Sequence, residues 1–213
     1  MMLPTHALGG MVLALPLVAV APELAPVGLV AGLLGGIVPD LDMYAGHRKT
    51  LHFPVYYSAL AVPASVVAVI APSTATVAVA LFFLGAALHC LTDVFGSGLE
   101  LRPWEGTSER AVYDHYRGTW IAPRRAVAYD GSPGDLLLSI TLAVPLVLAL
   151  EGVLQWLVIA ALAVGIVYTA LRRVLADLAT VVVGVLPASA YPYVPERYLE
   201  DLESERAWQP TGQ

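Results

Sequence analysis

Residues 39 to 53 read PDLDMYAGHRKTLHF, a short stretch that holds two aspartates, two histidines and the chain's sole lysine. A second group, Gly85, His89 and Asp93, recurs every four residues and therefore forms one stripe if the segment is helical. Imidazoles mixed with carboxylates are a donor set that zinc, manganese or iron accepts. Oxygen-only sets suit calcium, and thiolate sets suit structural zinc. His6, Asp40, Asp42, His47, His52, His89 and Asp93 are thus candidate ligands for one or two divalent metals. Zinc is the first choice, with manganese or iron as alternatives.

The elements that position these residues follow from composition. A hydrophobic fraction of 58%, a charged fraction of 13% and a mean hydropathy of +0.72 lie outside the range of an ordinary soluble domain. The expected class is all-α: a polytopic transmembrane helical bundle in one domain, residues 1–190, with a short acidic C-terminal tail, 191–213. Apolar segments run at about 7–22, 24–38, 54–71, 75–95, 135–150 and 153–171, each near the roughly 17–25 residues that span a bilayer as helix. About six crossings are expected. The first two segments are rich in Gly and Pro, which suits either close packing through small residues or a hairpin that dips part-way into the membrane. A further stretch, 174–188, carries Val174, Leu178, Val181 and Val185 on one stripe and reads as an interfacial or packed apolar helix.

The motif Ala19-Val20-Ala21 has the small-x-small form of a signal cleavage site. No basic residue precedes the apolar run, however, so the segment reads as a membrane helix. Cys90 is the only cysteine and suits packing rather than a disulfide. A net charge of −6 argues against a nucleic-acid partner. Ten arginines against one lysine and seventeen acids form a bias like that of proteins from salt-loving archaea.

Basic residues give the orientation, because Lys and Arg near helix ends are retained on the cytoplasmic side. Arg48 and Lys49 follow segment two, five arginines fall in the loop at about 96–134, and Arg172 and Arg173 follow segment six. The opposite connections contain none. The expected location is therefore the plasma membrane, with both membrane-proximal ends of the bundle and the metal motifs at the cytoplasmic face. Pro39 stops the second helix, so Asp40 and Asp42 enter a turn, and His47 and His52, five apart, suit an irregular loop folded over a centre.

Each group taken singly has a plain structural reading: His89 and Asp93 as an interhelical pair, Asp40 and Asp42 as cap or turn residues, Arg48 and Lys49 as orientation markers. Their placement at one membrane face favours a shared centre.

THALGG near the start, PDLD, H-R-x-x-x-H and G-x-x-x-H-x-x-x-D resemble motifs of the LexA-binding, inner-membrane-associated metal-dependent hydrolase family, over about residues 5–98. The chain departs from that pattern where Leu51 and Phe53 flank His52, since the family often carries a hydroxyl after the second histidine. Residues 99–134 look like a salt-loving archaeal variant. The resemblance implies a hydrolase.

On that reading a divalent metal acidifies a bound water and so supplies a nucleophile. Asp42 would be general base rather than ligand, and Arg48 would steady a phosphate or oxyanion. The substrate would be amphiphilic, a lipid-like phosphoester or ester, because the site lies at headgroup depth among membrane lipids. The alternative is a non-catalytic integral membrane protein with a structural metal or an ion-binding site. The loop at 96–134 holds Trp104, Trp120 and His115, the last a weaker candidate ligand, and could cap the site or lie on the headgroups. The tail is expected to be a solvated acidic helix with a frayed end.

Overall fold

The computed structural model describes residues 1–208, with side chains described through residue 203; the expected frayed end of the tail lies outside the described residues. The chain is mostly helical. It begins with α1 (Leu3–Ala14), broken at Pro16 from a short α2 (Leu17–Val20), followed by α3 (Ala25–Ile37) and a 3-10 turn over Val38–Asp42. Next come α4 (Pro54–Ile70) and α5 (Thr74–Val94), a hairpin of β1 (Val112–Asp114) and β2 (Thr119–Ile121), then α6 (Pro133–Ala149), α7 (Gly152–Gly184) and α8 (Glu196–Trp208).

Four segments are long and apolar enough to cross a membrane: Leu3–Val20, Ala25–Asp42, Thr74–Val94 and Gly152–Gly184. α4 and α6 are apolar but shorter, at 17 residues each. Their outward residues, such as Val62, Val69, Ile70 and Leu148, are exposed, as are Trp156, Val167 and Val181 of α7. An apolar outer surface of this kind suits lipid and would be costly in water.

The centre of the bundle is α1, α3 and α5, and glycine sets how closely they pack. A Cβ on Gly10 would collide with the Gly32 carbonyl, one on Gly36 with the His6 carbonyl, and one on Gly35 with the Phe82 carbonyl. Backbones therefore meet directly, as small residues permit between membrane helices. This contact brings the N-terminal turn of α1 beside the C-terminal ends of α3 and α5. Leu8, Met11, Leu29 and Leu81 pack below that level, with Leu146 of α6 and Val158 of α7.

Two elements differ from the sequence expectation. Residues 174–188 form no separate helix: α7 runs unbroken for 33 residues, about 50 Å at 1.5 Å per residue, which exceeds the roughly 30 Å hydrocarbon thickness. Its polar residues read as a boundary but have partners in the adjoining loop. Arg172 Nε donates to Asp130 at 2.9 Å and Arg172 Nη2 donates to the Leu101 carbonyl at 3.1 Å. In addition, the loop at 96–134 contains the β1–β2 hairpin, with Val112 paired to Ile121 and Asp114 to Thr119.

Candidate metal centre

Three backbone events build the site. The 3-10 turn after α3 presents Asp40 and Asp42; the loop that follows returns over the bundle to place His47, Arg48 and His52; and the last two turns of α5 carry His89 and Asp93. Arg48 adopts a left-handed backbone, φ 58°, unusual for a residue with a side chain. Two bonds hold it there: its N–H donates to Asp42 Oδ1 at 3.2 Å, and its carbonyl accepts from Tyr113 N of the hairpin at 2.9 Å. The hairpin thus pins the histidine loop.

Asp40, His52, His89 and Asp93 can hold a metal ion, since one ligand atom from each lies within 4.8 Å of the others. His52 Nε2 stands 3.2 Å from His89 Nε2 and 3.7 Å from Asp40 Oδ1. Asp93 Oδ2 is 3.5 Å from both nitrogens, and His89 Nε2 is 3.4 Å from Asp40 Oδ1. Four donors about 2.0–2.1 Å from a tetrahedral zinc would be roughly 3.4 Å apart. The five separations given are near that spacing.

The outer atoms of both rings are committed. His52 Nδ1 donates to Asp42 Oδ2 at 3.0 Å, and His89 Nδ1 donates to the Gly36 carbonyl at 2.7 Å. If both rings are neutral, each Nε2 carries a lone pair, and two bare nitrogens and two carboxylate oxygens then face one point. Such a convergence of acceptors could hold a cation. A ligating histidine held by a carboxylate or a carbonyl through its far nitrogen is the usual outer arrangement of a metal site.

The remaining sequence candidates stand one bond further out. Asp42 also accepts from Leu51 N at 3.0 Å and from His47 Nδ1 at 3.1 Å, so its oxygens orient the loop and His52. His47 is also 4.0 Å from Asp40. Burial lowers the His47 pKa below the ordinary imidazole value and outweighs the Asp42 hydrogen bond, so the ring is neutral at pH 7. His6 stacks on His89 with ring centroids 3.7 Å apart, and its Nε2 lies 3.0 Å from Asp93 Oδ1. The Met1 amino group donates to the same oxygen at 2.5 Å.

Arg48 Nε pairs with Asp93 Oδ2 at 3.3 Å as an ion pair without a hydrogen bond, and Nη1 donates to the Ser97 carbonyl at 2.7 Å. Burial opposes the charge on Arg48, but Asp93 together with Asp130, Asp40 and Glu100 outweighs it and raises the pKa above its ordinary value. His115 lies apart from the centre: its Nε2 bonds the Lys49 carbonyl at 2.6 Å and its ring packs on Phe53.

Sequence reasoning missed several supports. Thr92 Oγ1 lies 3.2 Å from His6 Nδ1, and its place three residues after His89 on the same helix face was a usable signal. Asp135 accepts from Thr5 Oγ1 at 2.6 Å and Met2 N at 2.7 Å, which braces the turn of α1 that carries His6. In sequence it reads only as the acid in the first turn of α6.

A cavity of about 510 Å³ opens beside the centre, reached by Asp40, His47 and Arg48 at one end and walled by Leu3, Val164 and Leu175 among others. A smaller one of about 270 Å³ lies on the other side of His47, between the loop and α8.

No family model, curated protein or solved structure matches this chain.

Proposed function

We propose that the chain is a membrane-embedded, metal-dependent hydrolase acting on an amphiphilic phosphoester or ester at the cytoplasmic interface, in the manner of the family its motifs resemble. The observation that carries this reading is the convergence of four acceptor atoms, one of them on Asp40, which also lines a cavity with apolar residues in its wall. Asp40, His52, His89 and Asp93 would hold the ion, with zinc favoured by the mixed nitrogen and oxygen donors and their spacing. The ion would acidify water and polarise the bond to be cleaved. Asp42 fixes the His52 tautomer, Arg48 adds positive charge beside Asp93, and neutral His47 stands where it can take a proton from water entering the cavity.

The cavity suits the substrate class. Its volume falls in the range of about 300–1,000 Å³ usual for small-molecule sites. Val164 and Leu175 are exposed on the outer face of α7, so an apolar chain would enter sideways from the bilayer. In this reading α4 and α6 cross with the four longer segments, six in all, and the site faces the cytoplasm. A cysteine at position 106 in a Cys90→Ser background should then stay unlabelled by impermeant reagent outside intact cells; labelling would reverse the orientation.

A second reading, a structural metal, draws on the fact that four protein donors suffice to close a tetrahedron. Metal depletion separates the two. A catalytic centre loses hydrolysis of amphiphilic esters while the bundle stays folded, and regains it with zinc or manganese. Loss of the fold on depletion, with no turnover to restore, would favour the structural site.

A further inference from the structure

The arginines in and near the two cavities are not equivalent. Arg102 pairs with Asp177 at 3.4 Å and Asp201 at 3.3 Å, Arg110 with Glu200 at 3.4 Å, and Arg172 with Asp130 at 2.9 Å. Arg197, in the first turn of α8, has no carboxylate partner among the described residues. Its Nη2 donates to the neighbouring Tyr198 hydroxyl at 2.9 Å, its guanidinium lies over that ring at 4.8 Å, and its Nε is buried without a hydrogen-bond partner. It lines both cavities, as His47 does, so it stands at the junction beside the metal centre. A partly buried guanidinium with spare donors is costly unless something accepts from it.

The other charges around the larger cavity restrict what that acceptor is. Asp130 is consumed by Arg172, and Asp40 belongs to the four-donor cluster. Arg48 lines the same cavity, held at Asp93 and Ser97. Glu100 is the one acid left over: both of its oxygens are buried and lack a hydrogen-bond partner. Two arginines face an anion, while the Glu100 carboxylate, within the field of Arg48 but without a hydrogen-bond donor, disfavours a doubly charged monoester and accepts from a hydroxyl or ammonium. The apolar part of the lining, Leu3, Pro4, Val164, Leu175 and Ala179, takes hydrocarbon.

We propose that the cavity binds a phosphodiester amphiphile, its phosphate between Arg197 and Arg48, its alcohol headgroup toward Glu100 and its apolar chain along α7. This rests on the hydrolase reading for its purpose but not for its chemistry. Arg197 is then a substrate-recognition residue contributed by the C-terminal helix, which serves as one wall of the site.

The test is equilibrium binding to the metal-loaded full chain in detergent. Three probes are used: a short single-chain phosphoethanolamine amphiphile, a carboxylic ester of equal chain length without phosphate, and inorganic phosphate. The phosphodiester should bind tightest. Arg197→Gln should weaken it about tenfold or more, the usual scale of a lost charge-assisted hydrogen bond, with partial recovery in Arg197→Lys and unchanged metal content. Val164→Trp, which fills the apolar wall, should weaken the amphiphile but not inorganic phosphate, and keeps the proposal testable if Arg197→Gln fails to fold. Equal binding of the phosphate-free ester, equal binding of inorganic phosphate, or an Arg197→Gln variant that binds as the parent does would overturn it. Arg197-dependent binding without turnover of any amphiphile would sink the hydrolase reading and leave this site standing. Turnover indifferent to Arg197→Gln would do the reverse.

Discussion

His52 and His89 aim their Nε2 atoms at one another across 3.2 Å, while the Nδ1 of each ring already donates elsewhere. Without a cation between them the two lone pairs would repel, and the carboxylates of Asp40 and Asp93 would add to that repulsion. An imidazolium at His89 donating to His52 Nε2 would relieve the same repulsion and would use the same His52 tautomer. In a metal site the Asp42 contact to His52 is outer-shell tuning.

Asp42→Asn tests it. An amide oxygen can still accept from Leu51 N and His52, but it is a weaker acceptor and its NH2 cannot accept. Metal affinity should fall about 10- to 100-fold, the usual cost of an altered outer-shell partner, with little change in melting temperature. Unchanged affinity, measured by competition with a chelator, would remove Asp42 from the centre.

The glycine contact between α1 and α3 predicts a contrast. Gly36→Ala places a methyl against the His6 carbonyl and the Ala7 backbone, which cannot yield without moving α1. It should cost about 1–3 kcal/mol as overpacking and weaken metal binding too, because the Gly36 carbonyl holds His89. Gly9→Ala meets only Leu88 at 3.4 Å and Leu142 at 3.9 Å, and should be neutral or slightly stabilising. Equal melting temperatures for both variants would contradict the packing account.

The helices were legible because apolar runs of bilayer length admit few other structures, and the His89–Asp93 stripe was legible because the helical period is fixed. The continuity of α7 was not: Arg172, Arg173 and Asp177 look like the end of a span, and only the fold reveals that Asp130 and Arg102 answer two of them. The division of labour among the seven candidate residues was equally hidden. Spacing says that Asp40 and Asp42 share a turn, but it cannot say which carboxylate turns inward to the centre and which turns back to hold the loop. Arg197 gave no signal either, since a tail reading ERYLEDLESER resembles any solvated acidic helix.

The Asp130–Arg172 pair ties the loop to α7, and its pH dependence has a definite sign. Burial alone would raise the Asp130 pKa, but the Arg172 guanidinium, with the Tyr168 hydroxyl and the Met1 amino group, outweighs it and holds the carboxyl below its ordinary value. A depressed folded-state pKa means that the pair's stabilisation is fully present above the unfolded carboxylate value of about 3.9 and is lost as pH falls through the folded value. The melting-temperature gap between the parent and Asp130→Asn should therefore be constant above about pH 5 and shrink below about pH 4. A gap that widens on acidification would reverse the assignment.

The claim on which the rest depends is that Asp40, His52, His89 and Asp93 hold a divalent metal. Elemental analysis of detergent-purified protein, with the His89→Ala and Asp93→Asn variants beside it, measures this most directly. The account predicts about one equivalent of zinc, manganese or iron in the parent chain and its loss in both variants, as a site of three or four protein donors requires. A folded parent that carries no such metal, and takes up neither zinc nor manganese when titrated at neutral pH, would contradict it.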